Sequence, residues 1–311
     1  MRVAVIDIGT NSTRLLIADV GDDGGVTQLA RESTVTRLGE GVDATGRLAD
    51  EPMRRVFETL ERYLALIDEH GVTATTAVLT SAVRDAANGR DFTARVRERC
   101  GLDARTIDGD EEAALTFAGA TSERPDDGRE TVVIDIGGGS TEFVIGCDGE
   151  VRFHVSTQAG VVRQTERHLH DDPPAPEQLQ ALAAEARHIF ARAVPDELRE
   201  RVRHAIAVAG TATSSASIEL GLEPYDPARV HGHVLDLATC ELLLARLAQM
   251  TEQERREVAG LHPDRAPTIV AGVAMLIEAV RIFGLDEVEV SEHDILRGAA
   301  LRLAASCRRA A

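Results

Sequence analysis

The sequence predicts an α/β protein of two similar domains with a ligand-binding cleft between them. Two observations predict it. The segment Asp7-Ile8-Gly9-Thr10-Asn11-Ser12-Thr13 returns as Asp135-Ile136-Gly137-Gly138-Gly139-Ser140-Thr141, with Asp, Ile, Gly, Ser and Thr unchanged in place. Each copy also follows an apolar run, Ala4-Val5-Ile6 in the first and Val132-Val133-Ile134 in the second. An apolar run, a carboxylate, then glycine and small hydroxyl residues describe a buried strand that delivers an Asp into a tight loop with accessible backbone. A repeated unit of this kind indicates a duplicated fold. Two such loops, one per half, imply one phosphate held from two sides. The next residue differs, Arg14 after the first copy and Glu142 after the second, so the copies diverge at their chemical end.

The elements follow in order. Residues 3–8 and 13–20 read as strands around the first loop, and Asp22-Asp23-Gly24-Gly25 is a turn that continues the meander. Asp50 is placed to cap a helix with Pro52 in its first turn. Val56, Leu60, Tyr63, Leu64 and Ile67 form its apolar face, and Gly71 stops it. Residues 74–79 read as a buried strand, and Ser81 begins a short helix carrying Arg84, Asp85 and Asn88. Residues 91–99 form another helix, 104–107 a strand, and Asp110 opens a helix that holds Glu111 and Glu112. The polar turn Glu123-Arg124-Pro125-Asp126-Asp127-Gly128 places the domain boundary, giving domains 1–124 and 125–311. The opening pattern then restarts with strands at 131–136 and 142–147. A loop at 171–176 precedes a long Ala/Leu helix, and a strand at 205–209 ends in the loop Gly210-Thr211-Ala212-Thr213. Thr251 with Glu254 reads as a capping box. Residues 265–283 read as one long core helix and 288–290 as a last strand. A final helix from about 294 to the end is expected to pack back on the first domain.

Composition removes several classes of function. All 34 basic residues are Arg and no Lys occurs, which excludes the lysine of a P-loop, Schiff-base chemistry and the kinase ATP-binding lysine. The formal net charge of −18 argues against a nucleic-acid surface, which needs a basic face. An anionic substrate would instead be met locally by backbone N–H groups, a few Arg and a divalent cation. Cys100, Cys147, Cys240 and Cys307 lie far apart and form no ligand cluster, so reduced thiols are expected. The apolar stretch 268–284 carries Glu278 and Arg281 and is no membrane span. With no signal peptide before the first strand, the cytoplasm is the expected location.

The candidate site residues start with the two loops. Gly9, Thr10, Asn11 and Ser12 in one copy, and Gly137, Gly138, Gly139, Ser140 and Thr141 in the other, offer successive N–H groups and hydroxyls to phosphate oxygens. Gly210 and Thr211 supply a third such place after another strand. Asp135 and Glu142 are expected metal ligands, since acids beside a phosphate repel it unless a cation intervenes, and hard oxygen donors suit Mg²⁺. Asp7 either joins them or hydrogen-bonds loop N–H groups. Arg84 follows a buried strand, where α/β proteins present ligand groups, and is a candidate phosphate clamp. Arg14 is either a second clamp or the partner of an acid inside the strand layer. Glu111 and Glu112 begin a helix, where acids also favour the helix dipole, and one of them is expected to face the ligand. His231 and His233 have the spacing of a metal pair, although a structural role in their loop is the simpler expectation. His293 reads as part of a helix cap.

Taken together these segments resemble the exopolyphosphatase/guanosine pentaphosphate phosphohydrolase (Ppx/GppA) family. The resemblance is carried by Val5-Ile6-Asp7-Ile8-Gly9-Thr10-Asn11-Ser12, Thr80-Ser81-Ala82-Val83-Arg84-Asp85-Ala86-Ala87-Asn88, Gly109-Asp110-Glu111-Glu112-Ala113, residues 135–142 and Arg265-Ala266-Pro267-Thr268-Ile269. Val35-Thr36-Arg37-Leu38-Gly39-Glu40-Gly41 and Ser291-Glu292-His293-Asp294-Ile295-Leu296 add a likeness to short, two-domain actinobacterial members. The resemblance implies two ribonuclease H-like domains of the actin/sugar kinase/chaperone ATPase superfamily with the active site in an inter-domain cleft. It implies Glu112 as the catalytic base, Arg84 as a phosphate contact, Asp135 and Glu142 as acids linked to Mg²⁺ (with Mn²⁺ as the alternative ion), and release of terminal orthophosphate from inorganic polyphosphate. Short chains are the expected substrate, because the chain ends before the C-terminal domains of longer relatives. Guanosine pentaphosphate is the alternative substrate. An ATP-dependent phosphotransferase and a non-catalytic polyphosphate or alarmone sensor are the alternative functions. The expected assembly is a homodimer, with no nucleic-acid or membrane partner.

Overall fold

A computed structural model describes residues 1–125 and 127–310; Asp126, in the expected boundary turn, and Ala311, the end of the second expected domain, lie outside the described residues. The chain folds as two units. Unit 1 comprises Met1–Ser122 with Ile295–Ala311, and unit 2 comprises Glu123–Asp294. The final helix, Ile295–Ala310, is thus part of unit 1, and unit 2 ends at Asp294.

Unit 1 is built on β1 (Arg2–Ile8), β2 (Ser12–Val20), β3 (Val26–Val35), β4 (Ala74–Leu79) and β5 (Ala104–Thr106), in the order β3-β2-β1-β4-β5. The first three strands run antiparallel as a meander, and β4 and β5 add parallel to β1. Unit 2 has β6 (Thr131–Ile136), β7 (Thr141–Cys147), β8 (Glu150–Thr157), β9 (His204–Val208), β10 (Val234–Asp236) and β11 (Glu287–Val290), in the order β10-β11-β9-β6-β7-β8. Here β6, β7 and β8 form the meander, while β9 and β11 continue in parallel. Both sheets therefore have the ribonuclease H-like arrangement. The likeness extends to irregularities: the second and third strands shift register between Ile17 and Ala18 in one unit and between Ile145 and Gly146 in the other.

The strand β1 is apolar from Val3 to Ile6 because both faces of its sheet are covered. Ala4, Ile6 and Ile8 pack with Val56, Leu60 and Phe92 from the helices on one face. Val3 and Val5 pack with Leu115, Ile295, Leu296 and Ala299 on the other. In unit 2 the core is centred on the Ile269–Arg281 helix, whose residues from Ile269 to Val280 are all buried. No helix among the described residues is long and apolar enough to cross a membrane.

Several expected boundaries move for local reasons. The helix at residue 50 is capped by Ala49, and Asp50 is its first residue, where its charge meets the positive end of the helix dipole. The helix carrying Arg84 is only Ser81–Asp85, and Asn88 instead precedes the next helix, Gly89–Cys100. The helix holding the Glu pair is opened by Asp108, whose carboxylate accepts the Glu111 N–H at 2.8 Å. The long helix expected from residue 265 is broken: a 3-10 turn at Pro263–Arg265 precedes Ile269–Arg281, as Pro267 cannot donate a backbone hydrogen bond. The expected loop at 210–213 is already helical, because β9 passes directly into the Ala209–Glu219 helix with Ala209 at φ 64°.

The Ile295–Ala310 helix closes unit 1 by a very close backbone approach. A methyl group on Gly298 would lie 1.9 Å from the Leu115 carbonyl oxygen in the Gly109–Ala120 helix. Alanine normally gains about 1 kcal/mol over glycine inside a helix. Overpacking costs typically about 1–3 kcal/mol and more where rigid backbone must move. Gly298→Ala is therefore expected to destabilise the protein by about 1–3 kcal/mol. Urea unfolding followed by far-UV circular dichroism would check this, and a stabilised variant would show that the two helices separate freely.

Candidate functional site

Both repeated loops are closed in the same way. The Gly9 N–H donates to the Ser12 carbonyl at 3.0 Å, and the Gly137 N–H donates to the Ser140 carbonyl at 2.9 Å. These two N–H groups are consumed within the turn. The next peptides are tied back through their oxygens. In unit 1 the Thr10 carbonyl accepts from Gly39 N–H, and the Asn11 carbonyl accepts from Thr36 and Arg37. In unit 2 the Gly137 carbonyl accepts from Val161 N–H, and the Gly138 carbonyl accepts from Val162. A peptide plane points its N–H opposite to its C=O. Anchoring the oxygens therefore fixes the N–H groups of Asn11 and Ser12, and of Gly138 and Gly139, toward the other side of each loop. That is the form of a preorganised anion nest.

The supports of these loops include a residue that the sequence did not single out. A methyl group on Gly160, just before the Val161–His168 helix, would lie 2.4 Å from the Gly138 carbonyl oxygen and from the Gly139 carbonyl carbon. Only glycine lets that helix reach the loop. A lone glycine before a helix carries no distinctive sequence signal, and only the loop packed against it gives it meaning. In unit 1 the first loop is tied to the helix that carries Arg84 by a Thr10–Ser81 hydroxyl contact of 2.9 Å.

The residues at the divergent ends face their repeated carboxylates directly. Asp7 is paired across the antiparallel ladder with Arg14, and Asp135 is paired with Glu142. Arg14 donates to Asp7 Oδ2 from Nε at 2.9 Å and from Nη2 at 2.6 Å. Arg14 is therefore the partner of an acid inside the sheet, the second of its two expected roles. Asp7 is almost fully buried, and a guanidinium meets its charge. In unit 2 the same geometry sets two carboxylates opposite each other, an arrangement that is destabilising without a compensating charge. Glu142 Oε1 accepts a hydrogen bond from Ser156 on β8 at 2.7 Å. Two carboxylates with a hydroxyl nearby make an all-oxygen donor set of the kind that suits Mg²⁺.

Glu111 and Glu112 separate cleanly. Glu111 turns to Arg105 and Arg302, each at 2.6 Å. Glu112 turns to Arg84, whose Nη1 donates to its Oε2 at 2.8 Å and to the Ile107 carbonyl at 3.1 Å. Burial pushes the Glu112 carboxyl above the ordinary glutamate range, the Arg84 contact opposes the shift, and the charge of Asp7 adds to it. Arg84, Glu112 and Asp7 thus sense one another within unit 1. A mostly buried glutamate with a raised pKa and a cationic partner has the properties of a general base.

Unit 2 contains a further close approach, here of a side chain to a helix start. A methyl group on Gly210 would lie 1.5 Å from Nη1 of Arg265, so Gly210 makes room for that guanidinium at the start of the Ala209–Glu219 helix. Thr211 packs beside Gly272 in the same place. Arg265 belonged to a recognised sequence segment, yet nothing in the sequence linked it to Gly210. The histidines also regroup. His233 is held by Glu219 at 2.8 Å, and His231 lies instead beside His293, their ring centroids 3.9 Å apart.

The comparisons with known proteins agree with one another. Residues 16–305 match the Ppx/GppA phosphatase family. The chain is 41% identical to Exopolyphosphatase 2 of Mycobacterium tuberculosis strain H37Rv, over 97% of this chain and 98% of that protein. It superposes with a TM-score of 0.85 on the crystal structure of the Aquifex aeolicus member of the Ppx/GppA protein family, at 32% identity and 98% coverage of each chain. An exopolyphosphatase from Cytophaga hutchinsonii gives a TM-score of 0.85 at 28% identity, again covering 98% of both chains. The duplicated strand-and-loop units, the Glu112–Arg84 pair and the match along nearly the whole sequence lead to one conclusion: this chain belongs to the Ppx/GppA phosphatase family.

Proposed function

We propose that this protein is an exopolyphosphatase that releases orthophosphate from the end of inorganic polyphosphate. The observation that carries the reading is Glu112, mostly buried, raised in pKa and held by Arg84 beside Asp7. The name of the mycobacterial relative supports the substrate. Unit 1 carries the base, and unit 2 carries a pair of carboxylates of the kind that holds a divalent cation.

In this reading the oxygen of a water molecule attacks the terminal phosphorus while its proton passes to Glu112. The bond from that phosphorus to the bridging oxygen breaks, and the bridging oxygen leaves with its electron pair on the shortened chain. Arg84 holds the Glu112 carboxylate in line, which makes it a positioning residue as well as a contact for phosphate. In each unit the loop N–H groups, those of Asn11 and Ser12 or of Gly138 and Gly139, are donors for phosphoryl oxygens, and Gly160 keeps the unit 2 loop in shape. Asp135 and Glu142 would hold Mg²⁺, or Mn²⁺ in its place, and such an ion would offset charge on the phosphoryl oxygens. Asp7, paired with Arg14, acts on Glu112 through its field and not as a metal ligand. A cytoplasmic homodimer belongs to the same proposal.

Two predictions follow from the base. Glu112→Gln keeps the shape and removes the proton acceptor, so kcat should fall by about 10²–10⁴-fold. The direct assay is phosphate release from short-chain polyphosphate, long-chain polyphosphate and guanosine pentaphosphate, each with and without Mg²⁺. Turnover of only guanosine pentaphosphate would transfer the reading to that substrate, and near-normal turnover by the variant would remove Glu112 from the mechanism.

The second concerns pH. A base must be ionised, so activity is present above the Glu112 pKa and is lost as pH falls through it. The acid limb of the kcat/KM profile should lie above the ordinary glutamate range, because burial raises this group. Arg84 holds the pKa down, so Arg84→Gln should move the limb to higher pH in whatever activity remains. An unmoved limb in that variant would mean that another group titrates.

A further inference from the structure

We propose that Glu123, His231 and His293 form a second cation site, for a divalent transition-metal ion of the zinc class. The three side chains belong to unit 2, and one potential ligand atom from each lies within 4.8 Å of the others. His231 Nε2 is 3.4 Å from Glu123 Oε2, and His293 Nδ1 is 3.9 Å from the same oxygen. Tetrahedral zinc with bonds of about 2.0–2.1 Å sets its donors about 3.3 Å apart. The first spacing already matches, and a small rotation of the exposed Glu123 side chain closes the second. The imidazoles lie side by side, with ring planes tilted by 38°, so neither has to be brought in from a distance.

The chemistry of the donors separates this site from the Asp135–Glu142 pair. Two imidazoles and one carboxylate suit Zn²⁺, Co²⁺ or Ni²⁺, and leave a position for water, whereas an all-oxygen set suits Mg²⁺. The surroundings of the two histidines differ. The Glu292 N–H donates to His231 Nδ1 at 3.3 Å, which leaves Nε2 as the protonated nitrogen facing Glu123. An ion takes the place of that proton. The ring proton moves to Nδ1, at the expense of one long hydrogen bond. The His293 N–H donates to Ser291 Oγ at 2.9 Å, and the same hydroxyl donates to the His293 carbonyl at 3.1 Å, which fixes the turn that presents the ring.

The location gives the ion a structural consequence. The chain passes from unit 1 to unit 2 between Ser122 and Glu123, and returns between Asp294 and Ile295. Glu123 is the first residue of unit 2, and His293 is its last but one. A shared ion cross-links the entry and the exit of unit 2 to each other and to the His231 loop. Cross-linking distant points of a chain restricts its unfolded state, so the ion should stabilise unit 2.

The test is a titration of metal-free protein with Co²⁺ in saturating Mg²⁺, followed by visible absorption. One equivalent should bind and give ligand-field bands of a histidine-ligated ion, without the thiolate charge-transfer band that a cysteine site would give, and Zn²⁺ should displace it. Glu123→Gln changes an exposed side chain and should weaken binding at least tenfold, as should His293→Ala once circular dichroism shows that variant folded. Glu142→Gln should leave Co²⁺ affinity unchanged. Absence of stoichiometric binding to the wild-type protein, or wild-type affinity in both site variants, would overturn the proposal.

Discussion

A carboxylate at the end of a buried central strand must be answered by whatever side chain lies across the ladder from it. The chain meets this constraint twice, with the same strand, the same loop and the same register, and answers it differently. Arg14 answers Asp7, and Glu142 faces Asp135. The first answer gives an ion pair, with both guanidinium bonds on Asp7 Oδ2. The second sets two carboxylates opposite each other across the ladder, with Ser156 donating to Glu142. One substitution in a duplicated frame thus gives the two units different chemistry at the same position, an ion pair in unit 1 and a pair of carboxylates in unit 2.

The rest of the site is built to keep backbone N–H groups available. Each loop spends its first N–H on its own turn and has its carbonyl oxygens anchored by a neighbouring segment, residues 36–39 in unit 1 and 161–162 in unit 2. These anchors are different elements with one physical effect. They explain the need for glycine at position 160, where the anchoring helix comes within bonding reach of the loop. Preorganised dipoles of this kind cost no rearrangement when charge develops on a phosphoryl group.

Much of the fold was legible because the signals were local. Apolar runs, the repeat and the turn residues gave the meander of each unit and most of the strands. Features that depend on contacts distant in sequence were not legible. Position alone left Glu111 and Glu112 equivalent; the helix turn sends one to Arg105 and Arg302 and the other to Arg84. The pattern Gly210-Thr211 resembles a loop, yet Ala209 at φ 64° turns the chain straight into a helix, and nothing in an alanine announces that conformation. The spacing of His231 and His233 pointed to a local pair, but the fold gives His231 to His293. Arg14 was open to two roles in sequence, and strand register decided between them.

In the proposed reaction water attacks the terminal phosphorus of polyphosphate. Isotope incorporation during turnover in ¹⁸O-enriched water tests it most directly, with phosphate and chain ends separated and analysed by mass spectrometry. Each released orthophosphate should carry one ¹⁸O atom and the shortened chain none, because the bridging oxygen leaves with the polymer. Label at the new chain end would place the attack on the penultimate phosphorus, and unlabelled phosphate passed to an acceptor would mean transfer without hydrolysis; either result would contradict the account.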